Sequence, residues 1–306
     1  MYVQDYEIMP LLNRVNGDID YELFDDKLKF FFRCNELGIR TIPTIAKFEN
    51  GTAEFLDNNP LPESDLFKKP QSGKCGQGAS LIVFEGIAGY RLNNKWFQGK
   101  KRLLETLCND SWKQPLILQQ RIRNHPAIDS LSQGALCTCR IITCIDLSGN
   151  VHIIASIFKM PVGGKSTDNF ATGGIAIPVD SMTGILGKGI TKERAADRIA
   201  AHPDTGVKFT GFKIPYWDQV IELCHRVHFA FSMYPFIGWD IAVDVKGPLI
   251  VEGNLQFGVD AVQMAHDSPL GRSVFGRQYL AHLKKRRAAD KMGKSAANTQ
   301  LYKGVI

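Results

Sequence analysis

The sequence predicts an α+β fold with mainly antiparallel sheets. Two stretches of strand-forming residues fold back on themselves at turn sequences, one at residues 147–150 (LSGN) and one at residues 245–247 (VKG). Helix-like segments flank these antiparallel strands. The chain of 306 residues is also long enough for two domains, or for one domain with two lobes, and for a large buried core.

Four segments are predicted to be helices. In residues 25–37 the apolar side chains of Leu28, Phe31 and Phe32 lie at helical intervals, and Gly38 marks the end of the segment. The other predicted helices are residues 98–108, 217–231 and 270–287.

Extended segments occupy much of the chain between these helices. The glycine-rich, polar stretch at residues 161–180 is too irregular for a helix, and we expect a loop or lid there. A turn is predicted at residues 49–51. The predicted strands are residues 39–48, 65–70, 79–85, 114–122, 135–146 and 151–160, followed by a hairpin over residues 237–254.

The composition is that of a soluble globular protein. Hydrophobic residues make up 44% of the chain, yet no apolar run approaches the ~20 residues that span a membrane. The N-terminal stretch is acidic and lacks the basic segment and apolar core of a signal peptide. The seven cysteines are irregularly spaced, which does not indicate a secreted disulfide framework. We therefore expect a protein of the reducing cytoplasm with no membrane partner.

The formal charge of +6 comes partly from the basic run at residues 284–287. A basic run near a terminus can bind nucleic acid, but it is more often a solvated helix face, and no pattern of stacking aromatic residues accompanies it. Nucleic acid is therefore not the expected partner. The excess charge fits a small ligand that carries phosphate equally well.

A carboxylate and an amide lie two residues apart in the stretch GPLIVEGNLQFG. Because strand side chains alternate, Glu252 and Asn254 share a face, and Gly253 lets another group approach from the other side. A turn near residue 246 would pair Asp240 with Glu252 across the hairpin, and two opposed carboxylates need a cation. Oxygen ligands of this kind suit Mg²⁺. The alternative, a pair of surface acids, is disfavoured by the apolar residues that flank both positions.

A glycine-rich loop follows one predicted strand. Gly73, Gly76 and Gly78 could present backbone N–H groups to an anion, and Lys69 just before them could hold a phosphate oxygen. A strand follows the loop, whereas a Walker loop would lead into a helix. The arrangement is similar to a flap over a nucleotide, and an ordinary hairpin loop is the alternative.

The order of these motifs resembles that of the ATP-grasp superfamily over residues 25–259. In that superfamily an early Asp-Lys opens a helix, a second lysine precedes the glycine loop, and a late acid with Glu-x-Asn binds magnesium. The matching residues here are Asp26-Lys27, Lys69-Pro70, Asp240 and Glu252-Gly253-Asn254.

The middle of the chain resembles the glutamate-ligase-like members of the superfamily. Arg140, Lys159 and Asn169 occur in the order of that subgroup, with Asn169 ahead of the paired glycines Gly173-Gly174. Residues 119–128, 168–180 and 237–242 resemble most closely the sugar-transfer-associated ATP-grasp proteins, also described as α-L-glutamate ligase-related.

The resemblance implies an ATP-grasp fold, in which two α+β lobes with mainly antiparallel sheets enclose the nucleotide. The chain then divides into an N-terminal segment (1–24), an N-terminal ATP-grasp part with the glycine-rich flap (25–120), a C-terminal lobe with the metal site (121–288) and a basic polar tail (289–306).

The resemblance also implies roles for individual residues. Contacts to ATP would come from Lys27, Lys69, Gly73, Gly76, Gly78 and, along the adenine-binding strand, Gln119, Gln120 and Ile122. The transferred phosphoryl group would be held by Arg140 and Asn169, and Lys159 would be a further catalytic residue. Mg²⁺, or alternatively Mn²⁺, would be bound by Asp240, Glu252 and Asn254. Related ligases often have Gln-Glu where this chain has Gln119-Gln120, so the ribose contact is expected from Asp129 or is lost.

The implied activity is that of an ATP- and Mg²⁺-dependent carboxylate–amine ligase, which forms an amide through an acylphosphate and releases ADP and phosphate. Family association suggests an amino acid or a sugar acid as the small-molecule substrate. Two alternatives stay open: a kinase that phosphorylates a hydroxyl, and a non-catalytic nucleotide-binding partner in a biosynthetic complex. Only about 25 residues precede the Asp-Lys helix, so a homodimer or a partner chain could complete the acceptor site.

Overall fold

The computed structural model describes residues 2–16, 21–56, 61–73, 78–132, 134–164, 170, 173–193 and 197–303 and, for residue 290 and residues 292–303, the backbone alone. Within this part of the chain, the helices are α1 (Asp5–Asn16), α2 (Glu22–Asp25), α3 (Lys27–Glu36), α4 (Lys100–Asp110), α5 (Pro126–Asp129), α6 (Trp217–Ala230), α7 (Asp260–His266) and α8 (Val274–Lys303), with short 3₁₀ turns at Gly86–Ala88 and Leu270–Arg272.

The strands of the described chain form two antiparallel sheets. The first has the order β2-β1-β7-β3-β4-β5-β6 and the second β11-β10-β9-β8-β12-β13. The strands are β1 (Thr44–Glu49), β2 (Thr52–Phe55), β3 (Leu66–Pro70), β4 (Ser80–Phe84), β5 (Tyr90–Leu92), β6 (Lys95–Phe97), β7 (Leu116–Gln120), β8 (Thr138–Ile145), β9 (Val151–Met160), β10 (Ile175–Pro178), β11 (Ile190–Thr191), β12 (Phe236–Asp244) and β13 (Gly247–Asn254). The predicted α+β class with mainly antiparallel sheets is confirmed.

Helices cover both faces of the second sheet, because consecutive residues of its central strands are apolar and point to opposite faces. Ile141 on β8 packs in one core with α3 and α6, whereas its neighbour Ile142 packs in another with α1, α7 and α8. The first sheet has a separate core, which it shares with Leu103 and Leu107 of α4. The two sheets therefore belong to two lobes with their own apolar cores.

The last hairpin forms with the predicted turn. Asp244 pairs with Gly247, so residues 245 and 246 make the turn, and Asp240 pairs directly with Glu252. Helix α3 begins at Lys27 because the Asp26 carboxylate caps it, accepting from the backbone N–H groups of Leu28 and Lys29.

Several predicted boundaries are wrong. The expected loop at residues 161–180 contains β10, because the apolar run Ile175–Pro178 pairs with the free edge of β9. The last helix starts at Val274, where the Ser273 hydroxyl accepts from the Phe275 N–H, and it runs on to Lys303 instead of ending at residue 287. Sequence reasoning missed α1, α7, β2, β5 and β6, most of which are short.

A buried polar network joins the second sheet to α6. The Nε2–H group of His228 donates to the carbonyl of Tyr234 at 3.0 Å, so Nδ1 accepts from the Thr143 hydroxyl. The Thr143 oxygen in turn accepts from Trp239 Nε1 at 2.9 Å. Burial lowers the pKa of His228 to about 4, which keeps the ring neutral near pH 7.

None of the helices in the described ranges is long and apolar enough to cross a membrane.

Replacing His228 with Gln should reduce the acid sensitivity of the protein. The pKa of His228 is depressed from 6.5 to about 4 on folding, so the unfolded chain binds more protons between these values. This contribution is complete above pH 6.5 and falls by about 3 kcal/mol as the pH drops toward 4. Urea unfolding at pH 7 and pH 4.5 measures it. Glu222→Gln, an exposed position on the same helix, is the control and should keep the wild-type difference.

Candidate active site

A cleft of about 1220 Å³ lies between the two sheets. Strands β3, β4 and β7 of the first sheet and β8, β9, β12 and β13 of the second all contribute to its lining. The predicted site residues that the structure brings together there are Lys27, Lys69, Gly73, Gln119, Gln120, Ile122, Arg140, Lys159, Asp240, Glu252 and Asn254.

Four predicted residues are not part of this group: two are described but lie outside the cleft lining, and two lie outside the described residues. Asp129 is exposed at the end of α5, outside the cleft lining, and its carboxylate accepts from Asn124 Nδ2 at 3.2 Å, so the structure gives no support to the predicted ribose contact. Gly78 adjoins Ala79, which lines the cleft, but is not itself in the lining. Gly76 and Asn169 lie outside the described residues.

The centre of the site is the buried carboxylate of Asp240, which is 3% exposed. Arg140 faces it from β8 in the strand register and donates two hydrogen bonds, from Nε at 2.6 Å and from a terminal nitrogen at 2.8 Å. Lys159 Nζ on β9 lies 3.2 Å from the same carboxylate. A bidentate arginine contact of this kind is strong because both partners are charged and their geometry matches.

The two carboxylates of the hairpin differ in acidity. Burial raises the pKa of Asp240, but the charges of Arg140 and Lys159 outweigh that effect and hold the pKa below its usual range. Burial raises the pKa of Glu252, and the neighbouring charge of Asp240 raises it further. Asn254 Nδ2 donates to Glu252 at 3.3 Å. Asp240 is thus the permanently charged member of the pair.

The sequence pairs the two carboxylates correctly but does not predict which cations contact them. In the structure both Arg140 and Lys159 contact Asp240. The signal that could have revealed this contact is the alternation of side chains on β8 and β9, but it requires knowing that β8 lies beside β12. That neighbour relation links residues 100 positions apart.

The donor set of the hairpin fits a hard divalent cation. It offers two carboxylates and an amide oxygen, and the Asn254 amide donates to Glu252 through its nitrogen, which leaves its carbonyl oxygen as an acceptor. The described chain has no group of three or more His, Cys, Asp or Glu residues that could hold a metal ion. A site with a small number of protein ligands suits Mg²⁺, because this ion usually keeps several waters and also binds phosphate oxygens of the substrate.

The Asp26-Lys27 segment is joined to the glycine loop by hydrogen bonds. Lys27 Nζ donates to the Gly73 carbonyl at 2.8 Å, and the Lys27 backbone N–H donates to the Gln71 carbonyl at 2.9 Å. Gln71 Nε2 donates to the Asp26 carboxylate at 2.7 Å. Burial lowers the pKa of Lys27, and nearby carboxylates, chiefly that of Glu252, partly offset the shift. A second cation, Lys69, lies over the Phe67 ring at 5.4 Å.

The strand expected to bind adenine is held on both sides by backbone hydrogen bonds. The Gln120 N–H donates to the Pro43 carbonyl and the Arg121 N–H donates to the Asp65 carbonyl. Gln119 is buried, and its amide nitrogen donates to the Thr44 hydroxyl at 3.1 Å. These groups are therefore engaged within the protein, and Ile122 is the next residue of this segment in the cleft lining.

The cleft also contains acidic residues that the sequence did not indicate. Asp5 of α1 accepts hydrogen bonds from the backbone N–H groups of Val259 and Asp260, and the Asp260 carboxylate accepts from the Asp5 N–H at 3.1 Å. This reciprocal contact ties α1 to the segment after β13. The sequence indicates this contact between Asp5 and Asp260 only if α1 is predicted first.

Residues 9–277 match the family described as sugar-transfer associated ATP-grasp. The chain belongs to this family. The match spans both sheets and nearly all of the cleft lining, so the two-lobed architecture described above is the ATP-grasp fold of this chain. No curated protein is significantly similar to the chain in sequence.

Several solved structures resemble this ATP-grasp chain at low identity. L-amino acid ligase from Bacillus licheniformis is 14% identical with a TM-score of 0.41, over 80% of this chain and 43% of that one. Biotin carboxylase from Campylobacter jejuni is 12% identical with a TM-score of 0.48, over 86% and 46% of the two chains. D-alanyl-alanine synthetase A from Vibrio cholerae is 9% identical with a TM-score of 0.49, over 86% and 65%. The chain thus spans less than two thirds of each of these proteins.

Replacing Arg140 with Met should destabilise the fold. The change leaves the buried Asp240 carboxylate with Lys159 alone and removes two charge-assisted hydrogen bonds, so we expect a loss of about 3 kcal/mol in the free energy of unfolding. Urea denaturation measures it. Arg33→Met, at an exposed ion pair with Glu36, is the matched control and should change stability by less than about 1 kcal/mol. Equal effects of the two changes would contradict the buried-pair assignment.

Proposed function

We propose that this ATP-grasp protein is an ATP- and Mg²⁺-dependent ligase that joins a carboxylate to an amine. The observation that carries the proposal is the concentration of charge at one place in the cleft, where Asp240 and Glu252 oppose each other and Arg140 and Lys159 converge on them. Ligation through an acyl phosphate requires such a place, because negative charge accumulates on the phosphoryl group during its transfer.

The nucleotide lies across the cleft in this proposal. Its adenine contacts the end of β7, with the backbone of Ile122 as the hydrogen-bonding group, since the N–H groups of Gln120 and Arg121 are already used. Its phosphates face Lys27 and Lys69, which line the first-sheet side of the cleft. Gly73 supplies its backbone N–H group to the phosphates.

The second sheet supplies the reaction centre. Asp240, Glu252 and the side-chain amide oxygen of Asn254 would hold the divalent cation, which would supply charge neutralisation and orientation of the terminal phosphate. Arg140 and Lys159 lie close enough to Asp240 to exchange that partner for a phosphate oxygen by rotation of their side chains. Their charge then stabilises the transferred phosphoryl group.

The reaction proceeds in two steps. A substrate carboxylate oxygen attacks the γ-phosphorus of ATP, the bond from that phosphorus to the β,γ-bridging oxygen breaks, and ADP leaves with the acyl phosphate formed. An amine nitrogen then attacks the acyl carbon, the carbon–oxygen bond to phosphate breaks, and the nitrogen loses a proton. The products are an amide, ADP and phosphate. The acid in this proposal is an amino acid or a sugar acid, and the family description, sugar-transfer associated, favours a sugar acid.

Hydroxylamine trapping tests the proposed reaction. Purified protein is incubated with Mg-ATP, pools of amino acids and sugar acids, and hydroxylamine, and nucleotides and hydroxamate are followed together. ADP with hydroxamate supports the ligase and identifies the acid. ADP with a phosphorylated hydroxyl product and no hydroxamate indicates a kinase, and AMP contradicts the acyl phosphate route.

Replacing Glu252 with Gln should lower turnover by about a hundredfold, since it removes a charged ligand from the metal site. Stability should hold, because the change also removes a like charge facing Asp240. Turnover and thermal unfolding are measured on the same preparation. The exposed Glu222→Gln on α6 is the control. Wild-type turnover by the Glu252 variant would contradict the assignment of Glu252 as a metal ligand.

A further inference from the structure

Gly253 is crowded on the face of β13 opposite Glu252 and Asn254. A Cβ atom built at Gly253 would lie 2.4 Å from Phe24 Cε1 and 2.8 Å from Trp239 Cζ3, closer than side chains approach one another. The backbone of Gly253 is not in the left-handed region, so other residues could adopt its conformation. Glycine is therefore required here by space, because the Phe24 ring packs directly on the strand backbone.

The Phe24 ring is fixed on its other sides by aromatic neighbours. Ring centroids lie 5.0 Å from Tyr234, 5.3 Å from Phe231, 5.5 Å from Phe30 and 6.0 Å from Trp239. Edge and tilted contacts of this kind hold aromatic rings in defined orientations. A displaced Gly253 backbone would thus meet a ring that has little room to yield.

Phe24 also lies close in sequence to the nucleotide side of the cleft. Two residues later, Asp26 caps α3 and accepts from Gln71, and Lys27 donates to the Gly73 carbonyl. The short helix α2 that carries Phe24 packs against β13. A continuous set of contacts therefore runs from the glycine loop through Phe24 to the backbone between Glu252 and Asn254.

We infer that Phe24 is a positioning residue. It fixes the position of the hairpin that carries Glu252 and Asn254 relative to Lys27 and the glycine loop. It acts through Gly253, the residue between the two metal ligands on the strand. The inference rests on the proposed function for the roles of Glu252, Asn254 and Lys27. It connects the metal hairpin through Phe24 to Asp26 and Lys27, which hold the glycine loop, and so makes metal binding and phosphate binding depend on each other.

Gly253→Ala tests this coupling. Calorimetry measures AMP-PNP binding at a series of Mg²⁺ concentrations, so no turnover enters the readout. We expect the Mg²⁺ concentration for half-maximal binding to rise about tenfold, the effect typical of disturbing the groups that orient metal ligands. Adding Phe24→Leu, which removes the ε carbon nearest to the new methyl group, should restore part of the wild-type value, since the contact with Trp239 Cζ3 at 2.8 Å remains.

Gly189→Ala is the control for crowding alone. Its new Cβ would lie 2.8 Å from Ile175 and 3.2 Å from Phe209, away from the metal hairpin. It should lower the melting temperature as Gly253→Ala does but leave the Mg²⁺ dependence unchanged. A folded Gly253→Ala protein with wild-type Mg²⁺ dependence, or one that Phe24→Leu does not rescue, overturns the inference.

Phe24→Ala covers the case in which Gly253→Ala does not fold. Loss of the ring frees the hairpin from α2, and the Mg²⁺ dependence of AMP-PNP binding should again weaken about tenfold. Wild-type dependence in this variant overturns the inference. If the wild-type protein binds AMP-PNP with Mg²⁺ but gives no hydroxamate, the ligase proposal is refuted. The coupling between Phe24 and the metal site is still tested, because the binding measurements on the variants do not depend on turnover.

Discussion

The buried carboxylate of Asp240 is the constraint on which the site depends. A charge that is only 3% exposed is tolerated when cations and hydrogen bonds surround it, and here Arg140 and Lys159 supply both. Those two residues lie on β8 and β9, so one charge fixes the relation of three neighbouring strands. Glu252 is the cross-strand neighbour of Asp240. It therefore lies beside a carboxylate whose charge is already balanced by Arg140 and Lys159.

The two lobes meet at this constraint through the segment before α3. Asp26 and Lys27 hold the glycine loop, while Phe24 packs against the backbone of Gly253. The nucleotide side and the metal side of the cleft are therefore built on one short stretch of chain. Such a stretch lets phosphate recognition and metal binding act together, because neither side can shift without moving the other.

Local patterns in the sequence were enough to predict the hairpins, the opposed carboxylates and the glycine loop, whereas the resemblance to the ATP-grasp superfamily supplied the other site residues. The turn at residues 245–247 fixed the register that sets Asp240 opposite Glu252, and Gly253 indicated a close approach whose partner is Phe24. Non-local relations were out of reach. The contact between Arg140 and Asp240 depends on β8 lying next to β12, and β10 depends on a free edge of β9. The position of Asp129 outside the cleft lining also depends on α5, which the sequence did not indicate.

The most direct test of the account is a crystal structure of the protein with Mg²⁺ and AMP-PNP. We expect one metal ion at about 2.1 Å from oxygens of the last hairpin, with Asp240 and Glu252 among its ligands. We also expect the phosphates to lie between Lys27 and Lys69 on one side and Arg140 on the other. A nucleotide bound outside the cleft, or one bound inside it with no metal at the hairpin, would contradict the account.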